Sequence, residues 1–322
     1  MKSLIKKLFF SLAITLTASS IAMAQYPNNT IKLVVPFGAG GITDLVARHL
    51  VEEFSKQIDQ TVIIDNKPGA GGAVGAQVAA SAKPDGYTLF MGTVGTQIVN
   101  DLIMEKLHYA PDDFIPIGLV SGSPYVLAVS KELNIDNIDD LIALAKKEPD
   151  ALAFGSAGIG SSPQLGIELL KFNEGLEILH VPFKSGGEAV TAAASGQVDM
   201  VMDAIPVVMP QVESGNLVAL GLASEKRSNA APDLHTTAEH GYEDLSISSW
   251  NAIYAPKNTP DEVVELLRDT LQRTLQSEDL IKALNEQGSD VYTGTMEEYD
   301  IFIQDETQKW QTIVTEAGIT VD

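Results

Sequence analysis

Val34-Val35-Pro36-Phe37-Gly38-Ala39-Gly40-Gly41-Ile42-Thr43-Asp44 is the stretch from which the fold can be read. An apolar run, Ile31 to Val35, enters a glycine-rich turn. Leu45, Val46, Leu50, Val51 and Phe54 then recur at helical spacing. Gly38, Gly40 and Gly41 open backbone angles closed to residues with a Cβ, and they leave room for a ligand against the main chain. The first N–H groups of the helix have no partner within it, and its dipole favours negative charge there. The turn is therefore a ready anion site.

Three similar turns follow: Pro68-Gly69-Ala70-Gly71-Gly72-Ala73-Val74-Gly75, Gly155-Ser156-Ala157-Gly158-Ile159-Gly160-Ser161-Ser162, and Lys184-Ser185-Gly186-Gly187. Each comes after an apolar run and before a helical pattern. Thr61 to Ile64 and Tyr87 to Met91 read as further strands, so the first part of the chain alternates strand and helix, as a parallel α/β sheet does. The rhythm changes at Phe114 to Val120 and Tyr125 to Val129, two apolar runs separated by a short turn, which reads as a crossing into a second lobe. Strands are expected again at Ala151 to Phe154, Leu176 to Phe183, Asp199 to Met202 and Leu217 to Ala223. Ser246 to Ala255 reads as the return crossing. Thr259-Pro260-Asp261-Glu262 starts a helix, with Pro260 at its first position, and Thr295 to Thr315 closes the chain as a long helix. The expected limits are 25–122 with 250–322 for lobe one and 123–249 for lobe two, with hinges near 120–126 and 246–252. Ligands of open α/β sheets sit at the carboxyl ends of the strands, where all four glycine turns fall.

The 322 residues are enough for two such lobes, and 45% hydrophobic with 20% charged residues is a globular composition. Lys2, Lys6 and Lys7, the apolar run Leu8 to Leu16, and Ala22-Met23-Ala24 have the form of a signal peptide over residues 1–24. Its removal leaves 18 basic side chains against 43 acidic ones, a balance of −25. That balance argues against nucleic acid or an anionic membrane surface as partner, and it means net charge would not draw in an anion. The absence of cysteine excludes disulfides, thiolate metal sites and a cysteine nucleophile. Periplasmic export is expected, with no cofactor, no metal and a monomeric state.

Pro36-Phe37-Gly38-Ala39-Gly40-Gly41-x-x-Asp44-x-x-Ala47-Arg48 resembles the first motif of the Bug-type substrate-binding proteins, the periplasmic receptors of tripartite tricarboxylate transporters. The likeness continues through Asn66-x-Pro68-Gly69-Ala70-Gly71-Gly72, Pro84-Asp85-Gly86-Tyr87-Thr88-Leu89, His180-Val181-Pro182-Phe183-Lys184, Gly196-Gln197-Val198-Asp199-Met200 and Trp250-x-x-x-Tyr254-Ala255-Pro256. The resemblance implies a two-lobed, type II-like periplasmic binding protein that closes on a small organic carboxylate, such as a di- or tricarboxylate, an aromatic acid or an amino acid. Each lobe would be a mostly parallel sheet flanked by helices, with the ligand cleft between lobes. It implies membrane transporter subunits as partners. It also implies that backbone amides and ordered waters at Phe37 to Gly41 and Ser156 to Ser161 hold one ligand carboxylate. Two positions depart from the pattern: Gln164 stands where the family often has histidine, and Ser185 where it usually has glycine.

The candidate ligand residues are Phe37, Ala39, Gly40, Gly41, Asp44, Thr93, Ser156, Ala157, Gly158, Ser161, Lys184 and Asp203. Phe37 would form an aromatic wall. Asp44 would either cap its helix or accept from a ligand or a water, with Arg48 as its i,i+4 ion-pair partner. Lys184 would either pair with a surface acid or neutralise a ligand carboxylate. Asp203, at a strand end, would be a capping acid or an acceptor for a ligand hydroxyl or ammonium. Gly38-x-Gly40-x-x-Thr43 and Gly69-x-Gly71-x-x-Val74 both miss the third glycine of a dinucleotide site, and no G-K-[ST] follows a turn. Catalysis is not expected: the five histidines lack metal-ligand spacing and no G-x-S-x-G elbow is present. Two readings stand beside the transport receptor: a sensor docking on a two-component kinase and, further off, a hydrolase.

Overall fold

The structure is a computed structural model and describes residues 26–316. The expected signal segment, 1–24, lies outside the described residues. β1 (Ile31–Val35), α1 (Ile42–Ile58), β2 (Val62–Asn66), α2 (Ala73–Ala80) and β3 (Thr88–Gly92) open the chain, and the strands lie parallel in the order β2-β1-β3. α1 forms because Ile42, Val46, Leu50, Phe54 and Ile58 recur every fourth residue and put one buried stripe on the sheet. It stops at Asp59, whose left-handed backbone (φ 51°) lets its N–H bond back to the Ser55 carbonyl. A π-helical turn at Gly95–Val99 then runs into the short helix α3 (Asn100–Ile103).

β4 (Phe114–Ser130) is one strand of 17 residues, and here the structure departs from the sequence reading, which placed a turn inside it. Ser121-Gly122-Ser123-Pro124 has the composition of a turn but is gripped from both sides. Ser121 to Pro124 pair with Asn251 to Ser248, and Val291 and Asp290 pair with Ser121 and Gly122. Ladder partners on both edges outweigh the local preference. Proline, which has no N–H to give, marks the point where β4 leaves one set of neighbours for another. From Tyr125 onward its partners belong to the second sheet.

That sheet is built by α4 (Ile138–Lys147), β5 (Ala153–Ser156), α5 (Ser162–Glu174), β6 (Leu179–Pro182), α6 (Gly186–Ala194), β7 (Met200–Ala204), α7 (Ile205–Glu213) and β8 (Leu217–Ala223). β7, β5 and β6 are parallel, and β4 runs antiparallel to both β7 and β8. β9 (Ser248–Pro256) returns the chain to the first sheet, lying antiparallel between β3 and β4. α8 (Asp261–Leu275), α9 (Glu278–Glu286), the two-residue β10 (Asp290–Val291) and α10 (Met296–Glu316) complete it. Pro260 sits at the cap of α8, one place before its first helical residue Asp261, and not at the first helical position where the sequence reading put it. The result is the expected two-lobed α/β architecture, each lobe with three parallel strands, β4 running antiparallel through both sheets and β9 through the first alone.

α10 is locked to this frame by one carboxylate. Glu306 Oε2 accepts from the indole N–H of Trp250 on β9 at 3.0 Å and from that of Trp310 at 3.1 Å. Both indoles are buried, and these are the protein's two tryptophans.

Candidate functional site

The glycine turns of the two lobes meet face to face. The Gly38 N–H donates to the Lys184 carbonyl at 2.9 Å, and the Ser185 hydroxyl lies 3.4 Å from the Ala39 carbonyl. A Cβ on Gly71 would overlap the Ile159 carbonyl oxygen, and one on Gly187 would come within 2.6 Å of the Gly40 carbonyl oxygen. The absence of side chains at these positions is what lets the lobes close this far.

A cavity of about 20 Å³ lies between the turns, room for about one water molecule. Three helix N-termini end at it: Gly41, Ile42 and Thr43 at the start of α1, Ser162 and Pro163 at the start of α5, and Gly186 at the start of α6. Neither Gly41 nor Ser161, the residues before α1 and α5, caps its helix with a side chain. First-turn N–H groups and three dipole ends therefore point at one small volume, which suits an anion. A larger hollow of about 510 Å³ lies elsewhere in lobe one, between β4, α8 and α10, and touches none of the glycine turns.

Of the twelve residues singled out from sequence, Phe37, Gly41, Thr93, Ala157 and Asp203 line the cavity. The other seven do not. Ala39 and Gly40 line an outward groove against α6 and α7 instead. Asp44 is buried but turned away: its carboxylate takes both an Arg48 pair (2.8 and 3.1 Å), the Gly40 N–H (3.0 Å) and the Asn66 amide (3.0 Å). Burial pushes the Asp44 carboxyl up, but Arg48 with these donors outweighs it and holds the group below its ordinary range. Asp44 is the brace of the first turn, because Asn66 also donates to the Phe37 carbonyl at 3.0 Å. Ser156 and Ser161 brace the third turn: the Ser161 hydroxyl donates to the Gly158 carbonyl, and Ser156 Oγ accepts from the Gly158 N–H at 3.1 Å. Ser156 Oγ also lies 2.6 Å from His180 Nε2, whose ring stacks on Phe154, and neither residue of this pair reaches the cavity. Burial, then the charge of Lys171, lowers His180 to about 4, so the ring is neutral. Lys184 has an exposed side chain, and among the described residues it hydrogen-bonds to the other lobe through its carbonyl alone.

The two departures from the family pattern have clear places. Gln164 is buried, and its Oε1 accepts from the Gly160 N–H at 2.6 Å, tying the third turn to α5. Ser185 caps α6 by accepting from the Glu188 N–H at 3.2 Å.

The sequence reading did not name Tyr125, Ser249, Ser162, Pro163, Ile42, Thr43 or Gly186 as cavity residues. Ile42, Thr43, Ser162 and Gly186 adjoin quoted motifs and were within reach. Tyr125 reaches the site through pairing of β4 with β7 and β8, and Ser249 through pairing of β9 with β4, which no local pattern signals.

Among the cavity-lining residues there is one carboxyl, Asp203, and no Lys, Arg or His. Asp203 is 2% exposed, and its Oδ1 accepts from the Ala204 N–H at 2.8 Å. Burial pushes its pKa up to about 7, against the smaller opposing pull of that hydrogen bond. Burial, followed by the nearby Asp203 charge, drives the Tyr125 phenol far above its ordinary range, so it is a neutral hydroxyl.

Three comparisons bear on this geometry. The model of the tripartite tricarboxylate transporter family receptor matches residues 46–319. The protein BugT of Bordetella pertussis is 34% identical over 303 residues, covering 94% of this chain and 93% of that protein. Among solved structures, MatC from Rhodopseudomonas palustris with bound malate superposes with a TM-score of 0.86 at 31% identity, covering 90% of this chain and all of that one. An R. palustris protein solved with adipate reaches a TM-score of 0.87 at 32% identity, covering 92% and 99%.

Proposed function

This chain belongs to the tripartite tricarboxylate transporter receptor family, and on that premise we propose that it captures one small organic carboxylate between its lobes in the periplasm and presents the closed form to a membrane transporter of the tripartite type. Lobe one would be 25–122 with 250–322, and lobe two 123–249. The observation that carries the reading is the meeting of three helix N-termini from both lobes, two of them without a side-chain cap, at one cavity with no basic side chain on its wall. Such a wall holds an anion through amides and dipoles, and it acts only when both lobes are in place. Relatives solved with malate and with adipate support the ligand class. Binding to the assembled cleft would shift the open–closed equilibrium toward the closed form by the ligand's preference for it.

The test is a thermal-shift screen of the purified mature protein against mono-, di- and tricarboxylates, aromatic acids and acidic amino acids, each paired with its amide. A ligand at 100 times its dissociation constant stabilises the folded form by roughly 2.7 kcal/mol. A shift with an acid and none with its amide supports the proposal. Shifts confined to sugars, metals or nucleotides would sink it.

A further inference from the structure

We infer that Asp203 selects the cargo, and that the accepted carboxylates are those carrying a hydrogen-bond donor, a hydroxyl or an ammonium, beside the carboxylate. The inference rests on the carboxylate reading above and names the class within it.

The cavity wall is chemically two-sided. One side is main chain: the starts of α1, α5 and α6, whose first-turn N–H groups are donors, Pro163 of α5 excepted. The other side is an acceptor. Asp203, on β7, puts a fully buried carboxyl on the wall, and among the described residues only the Ala204 N–H reaches it, at Oδ1. Oδ2 lies so close over Gly186 that a Cβ there would overlap it. The carboxyl is thus packed against the head of α6. A carboxylate has about four acceptor positions, and leaving them empty in a buried site is costly. The lining offers no cation to fill them. Tyr125, whose phenol feels the Asp203 charge and hydrogen-bonds with Ser162 and Ser249, lies on the same wall with both serines. Thr93, also on the wall, has a buried hydroxyl with no hydrogen-bond partner among the described residues.

A ligand satisfies both sides only if it is itself two-sided. Its carboxylate takes the amide donors, and an adjacent hydroxyl or ammonium gives a proton to Asp203. A second carboxylate in that position would set two acceptors against each other. A plain hydrocarbon there would leave the Asp203 carboxyl unpaired, and sites built to hydrogen-bond a ligand group discriminate strongly against analogues lacking it.

Isothermal titration of the mature protein with matched pairs tests this: lactate against propanoate, malate and aspartate against succinate, citrate against tricarballylate. The expected result is that at least one donor-bearing acid binds roughly 100-fold or more tightly than its partner lacking the donor. In Asp203→Asn and Asp203→Ala, checked for folding by circular dichroism, that ratio should fall below about 10-fold while carboxylate binding persists. Equal affinities within every binding pair in the native protein would overturn the inference and leave the carboxylate reading standing, and no variant is needed to see it. An unchanged ratio in both variants would also overturn it. Failure of every acid on the panel to bind the folded protein would overturn both.

Discussion

The Gly38 N–H donates to the Lys184 carbonyl at 2.9 Å, so the first direct bond between the lobes at the cleft is main chain to main chain. The Lys184 ammonium is uninvolved; its side chain is exposed and its own N–H goes to Glu188 Oε2 at 3.1 Å. Lys184→Ala should therefore change ligand affinity by less than about threefold, under 1 kcal/mol. Titration calorimetry at low salt checks this, and a tenfold loss would put the ammonium back at the ligand.

Gly71→Ala should act on closure. Gly71 has φ +57°, and an added Cβ would run into the Ile159 carbonyl across the cleft. The open form should pay only the cost of a left-handed alanine, on the order of 1 kcal/mol. The closed form should be blocked, and affinity should fall at least tenfold, or about 1.4 kcal/mol. Small-angle scattering with and without ligand should show the variant failing to compact.

Asp203 makes a pH prediction whose sign follows from burial. Its folded pKa, about 7, lies above the ordinary 3.8, so the folded state holds this proton more tightly than the unfolded one. Its contribution is fully present below pH 4 and is lost as pH rises through 7. Asp203→Asn, which stays neutral, should match the native protein near pH 4 and exceed it by roughly 4 kcal/mol at pH 8, at about 1.36 kcal/mol per unit. Urea unfolding of the ligand-free forms at both pH values reads the gap directly. A donor-bearing ligand favours the ionised carboxylate, so its binding near pH 6.5 should release protons, seen as a dependence of calorimetric enthalpy on buffer.

Glu306→Ala should strand two buried indole N–H groups at once, those of Trp250 and Trp310. The expected cost is roughly 2–4 kcal/mol. As these are the only tryptophans in the chain, fluorescence should report the change without interference. A native emission spectrum and an unaltered unfolding midpoint would show that the carboxylate does not hold α10.

How much of this was legible beforehand depended on distance along the chain. α1 was readable because Ile42, Val46, Leu50, Phe54 and Ile58 repeat every four residues, and each turn carried its glycines in plain view. The Asp44–Arg48 pair followed from helical spacing alone. What the pattern hid were the consequences of strand pairing. Ser121 to Pro124 has turn composition and becomes strand because Ser248 to Asn251 and β10 lie alongside. Tyr125 and Ser249 come to one wall from positions far apart in sequence for the same reason. The strand-end position of Asp203 pointed it at the cleft, but nothing in the order of residues says that Asp44 and Ser156 brace turns from behind.

The division between donors and acceptor has a consequence for how such a receptor can change its diet. Nearly any substitution preserves the main-chain N–H groups at the heads of α1, α5 and α6, so the proposed grip on a carboxylate would survive mutation of the side chains around it. The choice of cargo, as proposed, would rest on a replaceable side chain, Asp203. A gene copy could thus drift to a new acid by single changes on one wall while never passing through a form that binds no acid at all.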